Sequence, residues 1–205
     1  PVHEKPWQII AFGDAGDTVR DELFLQFMDT DPDTRFGVIQ PAAEAEANFR
    51  RRLLSAYHLM SEAIPDLAEE FNQLINQIII VAADPSDRYQ FDGGSSYMLW
   101  GGLFLNAASH ENDVAMIEVL AHESAHTLLF GFAWDEPLVL NADSELYPSP
   151  LRVDPRPMDG IYHSTYVSAR MHWAMTRVLE AELMDVDARQ FAEDARARDT
   201  KNIFD

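Results

Sequence analysis

The stretch LAHESAHTLLFGF, from Leu120 to Phe132, places the tightest constraint on how this 205-residue chain folds. His122, Glu123 and His126 sit in a run that is otherwise almost wholly apolar, with Val114, Met116, Ile117, Val119, Leu120, Ala121, Leu128, Leu129 and Phe130 around them. Such a run predicts a buried helix from about Asn112, a candidate cap, to Phe130. Two histidines and a glutamate in the middle of it are costly unless they are paired or bind a metal. Residues four apart on a helix share a face, with Cβ atoms roughly 5–6 Å apart, so His122 and His126 point at one ion. Glu123 lies about 100° round the helix, within reach of a bound water or ligand but out of line with the histidines. This spacing is a metal-binding signature, first read as a zinc protease with the glutamate as general base.

A further ligand must come from elsewhere. The extended metalloprotease pattern, with a glycine and a third histidine after the motif, fails, because Leu129 and Phe132 hold those positions. Candidates further on are Glu136, Asp143, Glu145, Asp154, Asp159 and His163. His163 stands out near the start of a long helix predicted from about Asp159. That helix is reached through a segment from Gly131 to Pro157 holding five of the chain's 11 prolines, a long loop of the kind that is often functional. His58, His110 and His172 read as surface or core. Arg170 follows His163 by seven residues on the same helix face, and Arg152 and Arg156 lie just ahead in SPLRVDPRPMDGIYH. Arginines beside a metal suggest bidentate capture of a carboxylate. The competing reading is that each pairs with an acid, such as Asp154 or Asp159.

Upstream, DAGDTVRDELFLQFMDTD predicts a helix capped by Asp14 or Asp17, with Val19, Leu23 and Phe27 on one face. PAAEAEANFRRRLLSAYHLMSEAIP predicts a stronger one, with Phe49, Leu53, Tyr57 and Met60 as its apolar stripe, Pro41 at its start and Pro65 beyond its end. Its Arg50-Arg51-Arg52 run reads as a solvated face, with Glu46 and Arg50 as an ordinary ion pair. PDLAEEFNQLINQ continues helical. QIIIVAA is a short, β-branched apolar run expected to be a buried strand. Gly93-Gly94 is expected to turn the chain, and SYMLWGGLFLN to form a second strand, with Gly101-Gly102 marking a bulge or close backbone approach. A polar, partly helical tail closes the chain.

The sequence has 35 acidic and 15 basic residues, a formal charge of −20. That field opposes nucleic acid and anionic membranes. Its plain reading is solubility, and its sharper one a cationic partner. There are no cysteines, which removes disulfides, thiolate sites and cysteine nucleophiles and fits a cytoplasmic protein. No apolar run is long enough for a membrane helix. The first residues, PVHEKPWQII, lack the basic and apolar regions of a signal peptide.

HESAHTLLFG, the proline-rich SPLRVDPRPMDGIYHSTYVSARM and their spacing resemble the HExxH-type 2-oxoglutarate-dependent peptide β-hydroxylases, modification enzymes of ribosomally made peptide natural products. The resemblance covers Leu120 to Met171, about a quarter of the chain. Its second motif, with the Arg-x-Asp-Pro-Arg-Pro-x-Asp-Gly run leading to a histidine, is the more distinctive. It implies iron(II), 2-oxoglutarate and dioxygen, with His122, His126 and His163 as iron ligands; Glu145 and Asp159 are alternatives to the last. One of Arg152, Arg156 or Arg170 would then clamp the distal carboxylate of 2-oxoglutarate. The product would be a hydroxyl on the β-carbon of a residue in a precursor peptide, which SYMLWGGLFLN could bind by strand addition. Glu123 would orient a ligand, water or substrate. The expected fold is a single α+β domain over residues 1–205, mainly helical. It has a zincin-like core, a small antiparallel sheet packed on the motif helix, and a second ligand-bearing helix. Two other functions compete: a zinc metallopeptidase with Glu123 as general base, and a non-catalytic peptide-binding domain with a structural metal.

Overall fold

A computed structural model describes residues 7–28, 37–86, 92–149 and 154–204. The chain is mainly helical, with six α-helices among those residues and one small sheet at the centre. The strands are β1 (Gln8–Ala11), β2 (Val38–Ile39), β3 (Gln77–Ala83), β4 (Gly93–Ser95) and β5 (Gly102–Asn106). A separate two-stranded ribbon pairs β6 (Leu146–Tyr147) with β7 (Arg156–Pro157). The helices are α1 (Thr18–Met28), α2 (Ala43–Ala63), α3 (Pro65–Leu74), α4 (Asp113–Phe132), α5 (Met158–Glu180) and α6 (Val186–Phe204).

The sheet runs β1-β3-β5-β4, with β2 on the end of β3. It is mixed, not antiparallel as expected. β1 and β5 both run parallel to β3, and only β2 and β4 are antiparallel to their neighbours. The reason is visible in the strands. Ile78 to Val81 and Leu103 to Leu105 are fully buried at successive positions, hence on both faces, as in the centre of a parallel sheet. The helical segments α1, α2 and α3 lie on the crossover from β1 to β3 that parallel pairing requires.

SYMLWGGLFLN is not one strand. Ser96 caps a short 3-10 turn over Tyr97–Leu99, its hydroxyl accepting from Met98 N at 3.2 Å, and β5 begins only at Gly102. Gly93-Gly94 does not turn the chain but forms the edge strand β4. Gly101 is a close approach as expected: its φ is +87°, and an added Cβ would stand 2.5 Å from Asn76 Nδ2. Any side chain there meets both backbone strain and a clash.

α2 buries Phe49, Leu53 and Met60 completely, and Tyr57 partly, as its stripe predicts. Glu46 and Arg50 pair at 2.7 Å, but Arg50 also donates to Ile9 O, and Arg52 to Ala107 O and Ser109 O. These arginines thus tie α2 to the strand ends. α1 departs from its expected face. Val19 is 66% exposed and Leu23 is also exposed, while Phe24 is buried edge-on against Phe104 at 5.6 Å between centroids. Asp17 Oδ1 caps the helix by accepting from Arg20 N. The closing tail is a full helix, α6, packed on α5 through Ala192 and Ala195. None of the described helices is long and apolar enough to cross a membrane.

α6 also buries Asp199, whose Oδ2 has no hydrogen-bond partner. Burial, with Glu118 nearby, pushes its carboxyl up to about 7, against the pull of Arg198. A raised carboxyl pKa stabilises the fold below the unfolded value, near 4, and that contribution is lost as pH rises through about 7. Asp199→Asn is therefore expected to match the wild type in stability at pH 4. By pH 8 it should be more stable by about 1–3 kcal/mol, as denaturant unfolding at a series of pH values will read.

Candidate metal centre

α4 begins at Asn112, whose side chain accepts from Ala115 N at 2.9 Å, as the sequence indicates. One face of α4 lies under the sheet and another packs along α5. That packing brings His163, on the second turn of α5, to the motif histidines. His126 Nδ1 is 3.0 Å from His163 Nδ1, and His126 Nε2 is 3.1 Å from His122 Nε2. The three rings form a row, with His126 in the middle and Phe130 stacked on it at 6.2 Å and 18°. Phe130 also leans on the His163 ring at 5.7 Å.

Burial keeps all three imidazoles neutral. It depresses His122 to about 4, with Glu118 pulling the other way, and His126 to about 3, helped by His122 and His163. It also lowers His163, against the pull of Asp159. Neutral imidazole is the form that binds metals. Each neutral ring has one N–H, so His126 can donate in one contact and accept in the other. The row is a satisfied hydrogen-bond chain as it stands. Its middle ring uses both nitrogens, and only one of them can face a common ion. Accordingly, no three His, Asp or Glu groups among the described residues are arranged as ligands about one point. Binding an ion through all three requires a ring to turn.

Glu123 is 4% exposed, with Oε1 3.9 Å from His122 Nε2 and Oε2 without a hydrogen-bond partner. Burial pushes its carboxyl up to about 7, and Ser95 on β4 works in the opposite direction. The edge strand presses close here. A Cβ added to Gly93 would stand 3.0 Å from Val119 Cγ2 and 3.2 Å from Glu123 Oε1, a tight fit that glycine relieves where β4 lies over α4.

The histidines form a wall shared by two cavities. The larger, about 530 Å³, is also bounded by β4, Ser96, Glu123, Phe130 and Asp159. The smaller, about 350 Å³, is closed by Arg156, Gly160, Ser164 and Val167. Arg156 Nε lies 3.0 Å from Asp154 Oδ2 without hydrogen-bond alignment. Arg170 is turned elsewhere. It binds Glu70 on α3 and sits 5.0 Å over the Trp173 ring, and it lines neither cavity. Arg152 lies outside the described residues. Among the alternative third ligands, Asp159 lines the larger cavity, whereas Glu145 is exposed and engaged by Asn141 and Tyr147. His58 pairs loosely with Glu62 on the surface, and His110 contacts Asp92 O.

Sequence reasoning missed Phe130 as a brace for the histidine rings, although its spacing, four residues after His126, was a usable signal. Ser95 left no such signal, because its place depends on strand pairing. Compared with known proteins, the chain matches no family model and no curated sequence.

The neutral donors, side by side, and the orphaned Glu123 oxygen beside them fit a divalent metal once a ring turns. Titration with Fe(II) or Zn(II) is expected to show one site per chain, weakened by about 100-fold or more in His122→Ala, His126→Ala and His163→Ala alike, above the loss typical of a supporting residue. Stoichiometric binding retained by His163→Ala would remove it from the ligand set.

Proposed function

We propose that this protein is an iron(II)- and 2-oxoglutarate-dependent oxygenase that hydroxylates the β-carbon of a residue in a ribosomally made precursor peptide. The observation that carries this reading is the small cavity in which Arg156 faces the same histidines that bound the larger one. The resemblance over Leu120 to Met171 supports it independently. Iron(II), loaded with 2-oxoglutarate and dioxygen, supplies the oxidising power that replaces C–H with C–OH while the cosubstrate leaves as succinate and carbon dioxide.

His122, His126 and His163 hold the metal as neutral donors, which leaves its charge available to an anionic cosubstrate. Arg156 clamps the distal carboxylate by a charge-assisted hydrogen bond; Arg152 remains a second candidate for that clamp. Gly160, with only Arg156 Cβ near its missing side chain at 3.6 Å, leaves the small cavity open. Phe130 fixes the planes of two ligand rings. Glu123, its carboxyl pushed up by burial, orients a neighbouring group. The peptide lies in the larger cavity along β4, the last strand on the sheet path, with Tyr97 beside it. In this reading the sheet, α4 and α5 form a zincin-like core turned to oxidation. Ribosomal origin of the substrate sets the reaction in the cytoplasm, with no nucleic acid or membrane as partner.

A zinc peptidase is the second reading, favoured by the position and raised pKa of Glu123, both apt for a general base. Fe(II)-dependent conversion of 2-oxoglutarate to succinate, increased by peptide, is the expected result. Zinc-dependent peptide cleavage without 2-oxoglutarate would overturn the proposal. Glu123→Gln should retain turnover within about tenfold, whereas loss of a general base costs about 10²–10⁴-fold. Arg156→Ala should raise the KM for 2-oxoglutarate by about 10–100-fold, the worth of one hydrogen bond to a charged group, with a smaller effect on kcat.

A further inference from the structure

Beside the larger cavity lies a separate hollow of about 360 Å³, lined by Tyr97, Trp100, Phe130, Gly131 and Trp134. Its walls are aromatic. Tyr97 meets Phe130 edge-on at 5.9 Å and lies 6.3 Å from Trp134 with the planes 30° apart. Trp100 donates its indole N–H to Thr127 O at 2.8 Å, which fixes the ring over Gly131. Its polar atom is thereby used, and the hollow meets hydrocarbon and π surface. Packing does not account for these rings: Tyr97 is 47%, Trp100 51% and Trp134 72% exposed. Tyr97 and Phe130 also line the larger cavity, so a chain seated there passes directly beside the hollow.

Charge decides what the hollow suits. Asp135 and Glu136 follow Trp134 directly and are exposed. Ring faces attract a cation through their quadrupole, and the exposed carboxylates of Asp135 and Glu136, next to Trp134 in the chain, favour the same sign. An aliphatic group gains burial alone, and an anion is opposed.

We propose that the Tyr97–Trp100–Trp134 hollow is a subsite for a cationic side chain, lysine or arginine, on the peptide whose nearby residue reaches the histidines. The inference rests on the hydroxylase reading only for the identity of that peptide as substrate. Its test needs neither metal nor turnover. The full chain, labelled with ¹⁵N at its four tryptophans, is titrated with N-acetyl-arginine methylamide and N-acetyl-lysine methylamide. The neutral comparators are the citrulline and norleucine analogues. The cationic probes are expected to shift the Trp100 and Trp134 indole resonances saturably while Trp7 and Trp173 stay still. Neutral analogues should bind at least tenfold more weakly, and added salt should weaken the cationic probes. Trp134→Ala should lose at least fivefold in affinity and Trp134→Phe retain most of it, with unshifted Trp7 and Trp173 signals reporting an intact fold. Equal binding of norleucine, or no saturable shift, would overturn the subsite. Either outcome leaves the succinate assay unaffected, so the two readings fail separately.

Discussion

The packing of α5 on α4 is the contact on which the candidate site depends. α4 alone presents two histidines and a buried glutamate, an expensive arrangement in an apolar helix. α5 adds His163 at 3.0 Å from His126 and extends the His122–His126 pair to a row of three. α5 is in turn held from behind by α6, through small buried residues such as Ala192 and Ala195. Burial removes the charge from the rings, and neutrality leaves each with a free lone pair. The same three rings are the nitrogen donors that the proposed function assigns to an ion. Loading an ion exchanges at least one imidazole–imidazole hydrogen bond for coordination, because His126 cannot offer both nitrogens to one centre.

The sheet supplies the other boundary. Its parallel centre, apolar on both faces, shares a buried core with α4 and leaves β4 at the edge over Glu123. Gly93 sets the spacing. With a side chain at that position, Val119, Leu105 and Glu123 would each have to give way by a few tenths of an ångström. The acid of the motif is buried because a glycine above it permits a strand to come that close.

Much of this was legible in the sequence where one element carries the signal. The motif helix, its Asn112 cap and the α2 stripe follow from periodicity over many turns. The meeting of His163 with His126 was legible as a possibility, because a long loop and a second helix follow the motif. Failures fall where the outcome depends on distant partners. α1 buries Phe24 instead of the Val19 and Leu23 face because Phe104, in a strand far along the chain, offers a ring to pack against. The strand β1 is only four residues long, and without it the parallel order has no sequence signature. α6 reads as a polar tail because its buried contacts are alanines, which carry little hydrophobic pattern. Arg170 shares a helix face with His163 by spacing, yet Glu70 on α3 and the Trp173 ring claim it.

The same histidines and glutamate suit two chemistries, and the difference lies in what else faces the ion. A tetrahedral zinc with three protein donors keeps one open position, filled by water, and that water needs a base and no anion clamp. A six-coordinate iron with three protein donors keeps three positions open, two of them matched to a keto-acid. The far carboxylate of such a cosubstrate must end beside a cation, because an anion taken out of water without a partner is strongly unfavourable. Arg156 closes a cavity bounded by all three histidines, and its neighbour Gly160 leaves that cavity unfilled. A cation beside that second chamber is what favours the oxygenase reading over the peptidase. The carboxylate Asp154 lies close to Arg156 but is not aligned with it, so the guanidinium is compensated in charge without a made hydrogen bond from its Nε.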